Sequence, residues 1–146
     1  MRKTIMRTLF ACVLAPVAVV GAATSAASAQ APPRYEDFTV CYKPSDCNMG
    51  FVKGTITWPF ETVYEPVKLE GAVVNRRGSD YSTTVVVEAF YGNKLKRSAT
   101  RTAKDGRKGF TPILFGQNPS ELIDRIKITV CQNFPTGRQC GRPGSF

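Results

Sequence analysis

From residue 38 onward the chain is written in short runs of alternating apolar and polar residues, each stopped by glycine, proline, asparagine or aspartate. A strand turns successive side chains to opposite faces, so a period of two marks a half-buried strand. A helix would instead need apolar positions three and four apart, and no window shows that spacing. Runs over 38–42, 51–58, 67–74, 83–91, 94–102, 110–115 and 126–130 predict about seven strands. In the third, Val67, Leu69, Gly71 and Val73 alternate with Lys68, Glu70, Ala72 and Val74; in the last, Ile126, Ile128 and Val130 alternate with Arg125, Lys127 and Thr129. Val85, Val87 and Ala89 set the inner face of the fourth, which leaves Glu88 on the outer face as a solvated or paired carboxylate. Pro112 lacks the amide hydrogen that a ladder needs and confines its strand to an edge. Gly92-Asn93 and Asp105-Gly106 are hairpin-type turn signals, and Asn118-Pro119-Ser120-Glu121 reads as a turn or a single helical turn. A parallel sheet would need helical crossovers, for which the spacing leaves no room. The pattern predicts an all-β chain folded as an antiparallel β-sandwich, loosely immunoglobulin-like.

The first 29 residues follow a different pattern. Arg2, Lys3 and Arg7 precede an uncharged, mostly apolar run from 8 to 20, and small residues then lead to Ala27-Ser28-Ala29. That order of basic, apolar and small-residue regions is a secretory signal peptide with its cleavage site. Pro16 and the Ala/Ser/Thr-rich second half make it too weakly apolar for a membrane anchor. Residues 30–37 are expected to be a flexible extension and 38–146 a single domain, with an extracellular destination and no membrane span after cleavage. Three of the 20 Lys/Arg leave with the leader and all 11 acids stay, so the remaining chain carries +6 instead of +9.

Export changes the reading of cysteine. Cys12 leaves with the leader, and Cys41, Cys47, Cys131 and Cys140 remain, an even set that implies two disulfides in an oxidising compartment. Sequence proximity favours Cys41–Cys47 and Cys131–Cys140, each across turn-like residues. The repeated tripeptides Thr39-Val40-Cys41 and Thr129-Val130-Cys131 keep an end-to-end pairing open as the alternative.

Candidate chemistry is sparse. The chain has no histidine, which removes the Ser-His-Asp and Cys-His arrangements, histidine-based metal sites and the usual general base near neutral pH. Bridged cysteines offer no thiolate. Phosphate-cradling loops, a dinucleotide fingerprint and a calcium loop are missing from the sequence. Eleven acids permit many carboxylate pairs, and the sequence singles out none. The expectation is a protein that is not an enzyme, with no catalytic residue, metal or cofactor assigned.

Two surface features stand out. Seven cations (Lys94, Lys96, Arg97, Arg101, Lys104, Arg107 and Lys108) and one acid, Asp105, fall within 15 positions, read as a basic hairpin turning at Asp105-Gly106. One reading is an exposed edge guarded by like charge against sheet-to-sheet aggregation. The other is attraction of a polyanion: a wall polymer, acidic polysaccharide, anionic lipid or extracellular DNA. Nucleic acid is disfavoured, because the segment lacks interleaved aromatics for base stacking and no helix is available to enter a groove. The second feature is Trp58, the only tryptophan, with Phe60 and Tyr64 close behind it. Its ordinary place is the inner sheet face; the alternative is an exposed stacking surface formed by all three rings.

The leader, the segments F-T-V-C-Y and G-T-I-T-W, the G-A-V-V-N-R-R turn and the closing I-K-I-T-V-C together resemble small secreted actinobacterial β-sandwich proteins that have no assigned activity. The resemblance spans 38–131 and implies fold and compartment, with no catalytic residues to carry over. It also raises a second class of function, because small exported β domains include protein inhibitors of proteases and glycosidases. The loop between Cys131 and Cys140 would then present Phe134 or Arg138 to an enzyme. The expected partners are an anionic envelope polymer, met through the basic segment, or an extracellular protein.

Overall fold

The computed structural model describes residues 32–59, 65–76, 78, 80–118 and 120–146. The expected leader lies outside them, and so do Phe60 and Tyr64 of the aromatic group. Nine strands are present among the described residues: β1 (Arg34–Lys43), β2 (Asp46–Trp58), β3 (Val67–Asn75), β4 (Ser82–Tyr91), β5 (Lys94–Ala103), β6 (Arg107–Phe115), β7 (Arg125–Phe134), β8 (Gly137–Cys140) and β9 (Gly144–Ser145). The expected seven are all present. The two additions, β8 and β9, are only four and two residues long, too short for alternation to register.

The strands form two antiparallel sheets, in the orders β1-β2-β3-β6 and β5-β4-β7-β8, with β9 pairing β7 beside β8. Alternation explains what lies between them. Val85, Val87 and Ala89 of β4 and Ile126, Ile128 and Val130 of β7 are fully buried, as are Val52, Ile56 and Leu69 from the facing sheet. Each valine, isoleucine or leucine among them contributes about 1.5–3 kcal/mol on leaving water, which makes this layer the main source of stability. Glu88 sits on the outer face, opposite Lys127, and pairs with its ammonium at 3.5 Å. Pro112 does lie in an edge strand, at the irregular stretch where the β3–β6 register shifts.

Four expectations are settled or corrected here. Both disulfides are local: Cys41–Cys47 closes the β1–β2 hairpin and Cys131–Cys140 links directly opposite residues of β7 and β8. Residues 34–37 are no flexible extension but the first part of β1, with Arg34 opposite Trp58 and Asp37 opposite Thr55. Polar side chains hold them there, Thr55 Oγ1 donating to Asp37 at 2.7 Å, and an outer strand made of polar residues has no apolar signature to read. Trp58 is buried, at 9% exposure. Its ring nitrogen donates to Glu36 at 3.1 Å and the Arg34 guanidinium stacks 5.3 Å from the ring centre, so it offers no free stacking face.

The last of the four concerns the basic segment, which is not a hairpin. β5 pairs with β4 and β6 pairs with β3, in different sheets. Residues 104–106 are a sharp corner from one sheet to the other, with Gly106 at φ +54°, a left-handed conformation that favours glycine. Asn75, 2% exposed, holds the corner. Its backbone N–H donates to the Gly106 carbonyl at 2.7 Å, and its side-chain amide donates to the carbonyl of Lys104. The same side chain reaches across the sandwich, because its oxygen accepts from Thr83 at 3.2 Å. Gln132 Nε2 in turn donates to Thr83 Oγ1 at 2.7 Å and to the Met49 carbonyl at 3.0 Å.

Candidate functional site

Because β5 ends one sheet and β6 ends the other, the corner places both free edges on one lateral side of the sandwich, and the seven cations are distributed along it. Lys94, Lys96, Arg97 and Arg101 belong to β5, Lys104 to the corner, and Arg107 and Lys108 to β6. Register decides where each points. Arg97 and Arg101 lie opposite Ala89 and Val85, residues of the core face, so both turn toward the facing sheet at its open margin. Lys108, opposite Val73, does the same from β6, while Arg107, opposite Val74, leans over the outer face. There it lines an open depression of about 430 Å³ with Asp37, Lys53 and Glu70. Lys96 occupies the irregularity at the Ala89/Phe90 step and holds its ammonium 5.8 Å from the Tyr91 ring centre.

The charges on this side are mostly uncompensated. Among the described residues only Arg97 of the seven makes an ion pair, to Glu121 at 2.9 Å. Arg101 donates to its neighbouring carbonyl at Thr100, and Lys94, Lys104, Arg107 and Lys108 stand exposed. Adjacent like charges on solvated edges repel a second sheet edge and attract an anion by the same field.

The other sequence candidates are not brought to this side. Trp58 lies in the β1-β2-β3-β6 sheet, packed into the core. Phe134 is not presented by the Cys131–Cys140 loop; it packs edge-on against Tyr42 and Tyr81, with ring centres 6.3 and 5.8 Å away. The loop itself is the tight β7–β8 hairpin, and Arg138 is the exposed residue left on it. Among the described residues no group of three metal-ligating side chains gathers.

Sequence reasoning missed two features. The buried Asn75–Thr83–Gln132 relay leaves no local signal, since each residue reads as an ordinary strand or turn position. Exposed Tyr91, Leu95 and Leu122 were hidden differently: Tyr91 and Leu95 fit strand alternation, and Leu122 sits in a segment with no pattern. No protein-family model matches the chain, and no curated protein or solved structure matches it either.

Proposed function

We propose that the protein is exported, loses residues 1–29 and serves as a non-enzymatic binding module that holds an anionic envelope polymer along the β5/β6 side. The observation that carries this reading is the row of cations on both free edges, six of the seven without an ion-pair partner among the described residues. Two disulfides in a small domain support an extracellular setting. The interlocked neighbours β3·β6 and β4·β7 correspond to the B·E and C·F pairs of an immunoglobulin-type sandwich, with β5 beside β4. On that basis we read the fold as immunoglobulin-like. Exposed charges are screened within about 8 Å at physiological ionic strength, so binding should weaken steeply with salt.

The test replaces Lys94, Lys96, Arg97 and Arg101 with glutamine together and measures retention on heparin-agarose and on isolated cell envelope at low salt. Loss of retention is expected; unchanged retention ends the reading. Sequencing the N-terminus of protein recovered from culture medium should find Gln30 first.

The inhibitor reading keeps one support, the exposed Arg138 on a disulfide-braced hairpin. It predicts near-stoichiometric inhibition of a protease that cleaves after basic residues, abolished by Arg138→Ala. A panel of such proteases left at full activity retires it.

A further inference from the structure

Among the described residues four large apolar side chains are exposed, and three of them gather at one end of the cationic side: Tyr91 at 47%, Leu95 at 48% and Leu122 at 54%. The fourth, Tyr35, belongs to β1 at the opposite edge. Tyr91 and Leu95 flank the β4–β5 turn; the register sets Tyr91 opposite Lys94 and Leu95 opposite Phe90, so the two project from opposite faces of the ribbon at its tip. Leu122 comes from the connection between β6 and β7, which is stitched to the same tip on both sides of it. Arg97 binds Glu121 at 2.9 Å. The Asp124 amide donates to the Phe90 carbonyl at 2.9 Å, and the Asp124 carboxylate accepts from the Gly92 amide at 2.7 Å. The tip therefore carries three protruding apolar side chains among Lys94, Lys96 and Arg97, with Arg125 behind, its guanidinium 4.9 Å from the Phe90 ring centre. Of its two acids, Glu121 pairs with Arg97 through one oxygen and Asp124 accepts from the Gly92 amide.

We propose that this side docks on an anionic lipid surface, with Tyr91, Leu95 and Leu122 entering the interface and the β5/β6 cations meeting the headgroups. The inference rests on the cationic side proposed above as the polymer-binding surface and adds a lipid surface as a further ligand of that side. A tyrosine and two leucines interleaved with lysine and arginine match the depth profile of a bilayer boundary. Apolar side chains sink toward the acyl chains, a phenol sits at headgroup level, and long cations reach outward to phosphates. A soluble polyanion would use the cations and leave the apolar trio in water. The cations are drawn to the anionic headgroups and orient the protein, and the apolar anchors decide how firmly it stays.

The experiment sediments the purified protein with phosphatidylcholine vesicles, with and without phosphatidylglycerol, and compares retention on heparin-agarose in parallel. Wild type should co-sediment with the anionic vesicles alone. The triple variant Tyr91→Thr, Leu95→Thr, Leu122→Thr should lose about tenfold or more of vesicle partitioning while its heparin retention stays unchanged. Leu95→Trp supplies a gain of signal, since its emission should shift to the blue on anionic vesicles and stay put with heparin. Wild type that holds to heparin but ignores the vesicles overturns the lipid inference and spares the polymer reading; failure on both overturns both. Vesicle binding undiminished in the triple variant also overturns it.

Discussion

The two lateral sides of this sandwich solve the same problem in opposite ways. On the side where β1 meets β8 and β9, the sheet margins are closed by packing and hydrogen bonds. Two disulfides brace the hairpins, Tyr42 donates to Gln139 at 3.0 Å, and its ring packs on Phe134. The Gly141 amide donates to the Val130 carbonyl as the chain crosses toward β9. On the side where β5 lies by β6, the margins stay open and are covered by charge. A closed margin contributes stability but offers a partner little to hold, whereas an open one contributes less and exposes binding groups. The comparison places the disulfide bracing on one side and the proposed activity on the other.

That division can be broken in order of expected effect. Reducing both disulfides, or replacing all four cysteines with serine, should lower unfolding free energy by about 5 kcal/mol, since each short loop contributes about 2.5; urea midpoints measure it. Asn75→Ala tests whether the open side is anchored only at its corner. It takes the side-chain amide donor from the Lys104 carbonyl and the acceptor from the Thr83 hydroxyl, which keeps only its bond from Gln132, and a loss of about 3 kcal/mol is expected in the same titration. Gly141→Ala attacks the closed side without touching sulfur. An added Cβ would lie 1.9 Å from the Tyr42 carbonyl oxygen, and the backbone must move at a cost of about 2 kcal/mol. Arg97→Gln should change stability by less than about 0.5 kcal/mol, as an exposed ion pair does, so a melting point lowered as far as in Asn75→Ala would contradict the division. The four-cation glutamine variant sharpens it further: light scattering should show more self-association, because the edges lose their guard.

Much of this fold was legible in the chain, for a physical reason: burial of one face imposes period two, and seven strands announced themselves that way. Pro112 identified its edge, and cysteine spacing favoured the pairing found. What escaped was decided at long range. β5 and β6 read as one hairpin because Asp105-Gly106 is good turn chemistry, and nothing local distinguishes a turn within a sheet from a corner between two. The deciding facts are that β3 has a free flank for β6 and that Asn75 fastens the corner, a residue far from it in sequence. The cations were legible as a group, but their division into two rows was not. The apolar trio at the tip was illegible for the same reason, since Leu122 reaches it only through contacts of its neighbours with Arg97 and Gly92.

The interlocked pairing also dictates an order of events. β3 and β4 are consecutive, yet each waits for a later strand to cover its flank, β6 for one and β7 for the other. The local hairpins β1–β2–β3 and β4–β5 can form early, but neither sheet is complete until the last third of the chain takes part. Loop closure of that span is costly before it is rewarded, which places folding on the order of milliseconds to seconds, the slow end for a domain of this size. Until β7 arrives, the valines of β4 stay open to other chains, and that interval is when this protein is most exposed to aggregation.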